Sequence, residues 1–193
     1  MLANCESDGE KVASYIPDDE QGQYTAVRAL LAEGYRRPLC LHLPEGHLAT
    51  TRRRQGLERA CREAGLDPDS LEHCYMALGD EHYRDIPAVL LAHMQNGIPR
   101  FDAVICGNDL IAFMVYQTLL GQGLRIPDDV AVIGYDNMVG IGELFLPPLT
   151  TVQLPHYEIG RLSALHIING EEHQETTRVE SPFLLRDSVA QAT

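Results

Sequence analysis

The sequence predicts an α/β fold in which a parallel sheet is flanked by helices on both faces. Two observations carry this. Short, nearly continuous apolar runs recur along the chain: "PLCLHLP" from Pro38, Ala103 to Cys106, and Val130 to Tyr135. Strands buried on both faces read this way. Between them lie segments whose apolar residues follow helical spacing, and strand alternating with helix is the pattern of a parallel sheet.

The first helix is predicted from "QGQYTAVRALLAEG", where Tyr24, Val27, Leu30 and Leu31 share a face and Gly34 is a stop signal. The strand from Pro38 follows, then a helix starting near Thr50 that buries Leu57, Ala60, Cys61 and Ala64 and ends at Gly65. "EHCYMAL" from Glu72 is a further strand. A helix from about Glu81 to Gln95 would bury Ile86, Val89, Leu90 and Ala92. After the strand Ala103–Cys106, Asn108 or Asp109 can cap a helix that buries Leu110, Ile111, Met114, Val115 and Leu119. "GLRIPDD" turns the chain into the strand from Val130. Ligands of such sheets bind beyond the carboxyl ends of the strands. That singles out Thr50 to Arg53, Asn108, Asp109, Asp136 and Asn137.

The chain has 193 residues, 45% hydrophobic and 22% charged, enough for a well-buried core. No apolar run approaches the ~20 residues of a membrane span, and "MLANCESDGEK" lacks the pattern of a signal peptide, so a cytoplasmic location is expected. The formal charge is −13 and Lys11 is the one lysine. A nucleic-acid binder gathers positive charge, so direct DNA binding by these residues is not expected. A small ligand or a protein partner fits better. The five cysteines form no CxxC pair and read as reduced and structural. The eight histidines show no HExxH or paired metal-ligand spacing, so neither a zinc site nor a cofactor is expected. Glu45 and His47 have no nucleophile near them in sequence, and there is no GxSxG and no phosphate-cradling glycine loop after a strand. The chain is not expected to be an enzyme.

Several segments, in order, resemble the lactose-repressor type (LacI/GalR) family of transcriptional regulators. They are "PDDEQGQYTAV", "TRRRQGLERACREAGL", "FDAVICGNDLIAFMVYQTLLGQGLRIPDDVAVIGYDN", "PPLTTVQLPHYEIGRLSALHIING" and "VESPFLLRDSV". The resemblance is to the effector-binding core. It implies a periplasmic-binding-protein-like fold of two lobes, a small polar effector such as a sugar between them, and a homodimer that reaches DNA through an N-terminal helix-turn-helix not found in this sequence. It further implies that the second lobe is nearly complete and most of the first is absent, as in a truncated regulator. Residues 1–17 would be a remnant of the first lobe and 18–154 the second lobe. Residues 155–175 would form the helix that crosses to the first lobe, and 176–193 the return strand and tail. The apolar residues of that crossing helix (Tyr157, Ile159, Leu162, Leu165, Ile167, Ile168) would then dock on a second chain or leave the helix mobile. A periplasmic sugar-binding protein of related fold is the alternative.

Arg52, Arg53 and Arg54 stand near a helix start, where cations oppose the macrodipole. Successive residues lie about 100° apart, so the three cannot share a direction. By the family pattern "RxxG", Arg53 points into the cleft, while Arg52 and Arg54 read as solvated. The resemblance also matches Asp136 of "GYDN" to a cleft aspartate. Arg53 and Asp136 would grip the ligand together, or form a resting ion pair that the ligand replaces. Asn108 would face the cleft or cap its helix. Glu81 falls where some relatives carry a stacking aromatic, and is the remaining ligand candidate. Thr50 and Thr51 read as helix caps.

Overall fold

The structure, a computed structural model of the chain, describes residues 1–6, 12–77, 82–138, 140–172 and 174–190. In chain order the elements are β1 (Leu2–Ala3), β2 (Ser14–Pro17), α1 (Asp19–Ala32), β3 (Pro38–His42), α2 (Leu48–Glu63), β4 (Glu72–Tyr75), α3 (Ile86–Ala92), β5 (Met94–Gln95), β6 (Ile98–Pro99), β7 (Ala103–Cys106), α4 (Asp109–Gly121), β8 (Ala131–Ile133), β9 (Thr151–Val152), α5 (His156–Asn169), β10 (Thr176–Val179) and β11 (Phe183–Leu184).

The central sheet has the order β4-β3-β7-β8, and every pairing is parallel. Strand side chains alternate between faces. Leu39, Leu41, Val104, Cys106 and Val132 pack with Ile86 and Leu90 of α3 and Ile111, Val115 and Leu119 of α4. Cys40, Ala103, Ile105, Ala131 and Ile133 face the other way, onto Val27 and Leu30 of α1 and Leu57 and Ala60 of α2. Both faces are covered, which is why these strands carry no polar alternation.

A second, parallel sheet has the order β1-β2-β10, and α5 lies on it. Ile159 of α5 is buried with Tyr15 and Val179, and the Tyr15 hydroxyl hydrogen-bonds His166 Nδ1 at 3.2 Å. The expectation that α5 lacks a partner on its own chain is thus corrected for one stripe: Ile159, Ser163 and His166 are buried. Tyr157, Ile167 and Ile168 remain 67–84% exposed. β9, which follows the last strand of the central sheet, pairs antiparallel with β11, the last strand of the chain.

Three helices differ from the sequence reading, two in their bounds and one in its buried face. The helix around Val89 is short, because Pro87 starts it and the Asn96–Gly97 turn, both residues at positive φ, folds β5 onto β6. Leu110 is exposed while Ala112 and Tyr116 are buried, so α4 is rotated from the expected face. α2 begins at Leu48 with His47 at its N-cap, so Thr50 and Thr51 are not caps. Thr50 Oγ1 instead donates to the Pro44 carbonyl at 3.1 Å. The arginines therefore sit in the second turn, beyond the strongest field of the helix dipole.

α1 and α2 cross in backbone contact at Gly56. A Cβ there would lie 2.1 Å from the Glu20 carbonyl oxygen and 2.9 Å from the Tyr24 nitrogen. Because backbone cannot step aside as a side chain can, Gly56→Ala is expected to destabilise the protein by about 1–3 kcal/mol, read as a lower urea midpoint. An unchanged midpoint would mean that the two helices stand further apart than described.

Candidate functional site

The carboxyl ends of β3, β7 and β8 open toward the β1-β2-β10 sheet. A cavity of about 440 Å³ lies there, lined by Ile16, Pro17 and Asp19 from one side and His47, Arg52 and Arg53 from the other. Asp136 and Asn108 are not in its lining; Asp136 meets it through Arg53.

Arg53 is 7% exposed. Its Nε donates to Asp19 Oδ1 at 2.8 Å and its Nη1 to the Gly107 carbonyl at 2.6 Å. Its Nη2 stands 3.9 Å from Asp136 Oδ1, and its guanidinium carbon lies 3.6 Å from the centre of the Tyr135 ring. The fork is thus spread over α1, the turn after β7 and the turn after β8. A planar cation with several fixed donors suits such a junction, and stacking on an aromatic face adds to its stabilisation. Arg53 and Asp136, far apart in the chain, are brought within 3.9 Å of each other.

Asp136 has φ +110° and Asn137 φ +47°. Two successive non-glycine residues in that region store strain, at about 1–3 kcal/mol each. The strain is held by backbone bonds to β9 and its flank: the Asp136 nitrogen donates to Val152 O at 2.8 Å, and the Leu154 nitrogen to Asp136 O at 3.2 Å. Asp109 braces the same turn from α4, accepting from Thr151 Oγ1 at 2.8 Å and the Met138 nitrogen at 2.9 Å. Burial raises the Asp109 carboxyl above the usual range, and these hydrogen bonds offset part of the rise. Burial pushes Asp136 up to about 7; Arg53 opposes the rise, while Asp109 and Asp19 add to it.

Asn108 is the N-cap of α4: its Oδ1 accepts from the Ile111 nitrogen at 2.8 Å, and its Nδ2 donates to the Tyr83 hydroxyl at 3.1 Å. The amide is used on both sides. Glu81 lies outside the described residues. Arg52 departs from the solvated reading; Arg54, its side chain 36% exposed, departs only in having fixed partners. Arg52 pairs with Glu6 and its side chain is 13% exposed, while Arg54 is bound to Glu58 at 2.8 Å and to the Tyr75 hydroxyl. Each of the three arginines has its own carboxylate, which answers why three cations stand together. Asp19 is the site residue that sequence reasoning missed. In "PDDEQG" it resembles one more acidic residue in a first helical turn, and its neighbour Asp18 is the actual cap. The signal that could have found it is its place directly after β2, facing an arginine in the second turn of α2.

Residues 1–187 match the family described as periplasmic binding proteins and the sugar-binding domain of the LacI family. The sucrose operon repressors of Shigella flexneri and Escherichia coli are each 56% identical over 189 residues, 98% of this chain and 57% of theirs. The repressor PurR of Vibrio vulnificus is 34% identical over 182 residues, 90% of this chain and 52% of its own. These relatives are transcriptional repressors, and the chain spans little more than half their length. A LacI-family regulator from Enterococcus faecium with bound ribose superposes with a TM-score of 0.82 at 29% identity, covering 100% of this chain and 70% of that one.

The raised Asp136 carboxyl has a consequence for stability. The folded protein holds a proton that the unfolded chain releases between about pH 4 and 7. The contribution of this group is therefore most favourable below about pH 4 and is lost as pH rises through about 7. Asp136→Asn removes that loss. Relative to the parent, the variant is expected to gain on the order of 2 kcal/mol between about pH 5 and pH 8 in urea unfolding. An equal pH dependence in both proteins would contradict the buried setting of Asp136.

Proposed function

Since this chain belongs to the family of periplasmic binding proteins and LacI-type sugar-binding domains, we propose that it is the effector-sensing part of a sugar-responsive transcriptional regulator. The ligand would lie between the two sheets, against Arg53 and Asp136. The observation that carries this reading is the balance of charge at the cavity. Both guanidiniums in its lining are already matched, Arg52 by Glu6 and Arg53 by Asp19, with Asp136 3.9 Å from Arg53. An anionic ligand would have to displace one of these carboxylates. A neutral polyhydroxyl ligand would not: its hydroxyls accept from the guanidinium and donate to the carboxylates. The names of the relatives point the same way, to sucrose and ribose.

The output would be a population shift between orientations of the two sheets, with the ligand favouring the closed one. A second copy of the chain is the proposed protein partner. DNA would be contacted by a head outside these 193 residues, in keeping with their charge of −13. The regulator would then act in the cytoplasm. Among the described residues no helix is long and apolar enough to cross a membrane.

Calorimetric titration with sucrose, fructose and ribose tests the site. At least one of these is expected to bind the parent, and Asp136→Ala to weaken it by about tenfold or more, the loss of a hydrogen bond to a charged group being about 1.5–3 kcal/mol. Arg53→Lys, which keeps the charge but not the fork, is expected to weaken it too. Unchanged affinity in both variants would remove the assignment.

A further inference from the structure

We infer that the β3–β4 edge of the central sheet holds a binding site for a zinc ion, built from Cys40, His42 and His73. Cys40 and His42 are two residues apart on β3 and therefore share a face. The parallel register places His73 of β4 directly opposite Cys40. One donor atom from each of the three lies within 4.8 Å of the others. His42 Nε2 and His73 Nδ1 are 2.8 Å apart, with the rings stacked at an interplanar angle of 9°. Zinc bonded at about 2.0–2.3 Å to two nitrogens and a thiolate in tetrahedral geometry needs those atoms roughly 3.3–3.6 Å apart. Shifts of about 1 Å bring the three atoms to that spacing.

The outer contacts support this arrangement. His73 Nε2 lies 3.1 Å from the Pro68 carbonyl. A carbonyl can only accept, so Nε2 carries the proton and Nδ1 presents its lone pair toward His42 and Cys40. A histidine ligand is commonly oriented in this way, by a carbonyl that fixes its tautomer. Without metal, His42 Nε2 donates to that lone pair. On binding, the His42 proton moves from its Nε2 to its own Nδ1, the Cys40 thiol gives up its proton to solvent, and one proton is released per zinc. Burial holds the His42 imidazole neutral, down to about 3, with His73 and Arg54 adding to the effect. Burial also raises the Cys40 thiol, so the metal must supply what drives that proton off. Arg54, the nearby cation, is already bound to Glu58 and Tyr75. Cys40 is fully buried while His73 is half-buried, so a solvent ligand completing the tetrahedron would come from the His73 side. The C-x-H strand pair with a third ligand from the neighbouring strand is not a spacing that a search for HExxH or CxxC detects. His42 also lines the small space beneath Arg53, so the metal would lie beside the candidate ligand site without sharing its carboxylates.

The test titrates zinc alone into the chelator-treated 193-residue chain by calorimetry, then repeats it with cobalt(II) under a spectrophotometer. One equivalent of zinc is expected, with a thiolate-to-cobalt charge-transfer band. His73→Gln, at the half-buried edge strand, is expected to weaken zinc at least tenfold, and Cys40→Ala to abolish the band. Absence of binding or of the band in the parent overturns the proposal, however the variants fold. Unchanged zinc affinity in His73→Gln, or a band that survives Cys40→Ala, overturns it as well.

Discussion

One buried guanidinium organises the mouth of the central sheet. Arg53 binds a carboxylate from α1, a carbonyl from the turn after β7 and the ring that follows β8. A cation in that position is tolerable only because each of these groups answers it. Removing the Asp19 carboxylate leaves the charge unpaired in low dielectric, which costs about 3–5 kcal/mol. Its placement is set by the crossing of α1 and α2. Gly56 lies three residues on, on the same face of α2, and its missing side chain lets the backbones meet. That contact draws Asp19 and Arg53 together. The fold and the site thus depend on one close approach between two helices.

The sheet was legible because its strands are buried on both sides, and nothing but continuous apolar residues satisfies that. Leu39, Cys40 and Leu41, and the run from Ala103 to Cys106, read as strand with no structure in hand. The two-residue strands β1 and β11 carry too few side chains to show a period, so only pairing defines them. At the site, the meeting of Arg53 and Asp136 was legible from their places after strands and from the family resemblance. Asp19 was not, because an acidic residue in a first helical turn is explained by the dipole alone. The partners of Arg52 and Arg54 were missed for a related reason. Helical geometry gives the direction of a side chain but not what stands there, and Glu6 and Tyr75 come from distant segments.

Asn108 shows how capping and recognition compete for one residue. Its oxygen closes the first turn of α4 and its nitrogen is bound to Tyr83. For this amide to reach a ligand it must release one of these partners. The Tyr83 hydroxyl is the cheaper to release, since losing the cap would expose an orphan amide at the helix start.

The turn at Asp136 and Asn137 shows the opposite economy. Its backbone is held where few residues settle, by β9 on one side and the Asp109 carboxylate on the other. Gly134 allows this, because a Cβ there would fall 2.3 Å from Asp109 Oδ1. The Leu154 nitrogen that closes the turn lies two residues before α5, the helix seated on the other sheet. A shift at Asp136 therefore bears on the segment that joins the two sheets. A partly desolvated carboxylate on a strained turn, 3.9 Å from an arginine whose Nε and Nη1 are already bound to Asp19 and the Gly107 carbonyl, is the least settled charge in the site. A ligand that supplied hydroxyl donors to that carboxylate would relieve it most in whichever orientation of the sheets brings the donors closest. Differential stabilisation of that kind is what a ligand must provide to move a conformational equilibrium at all.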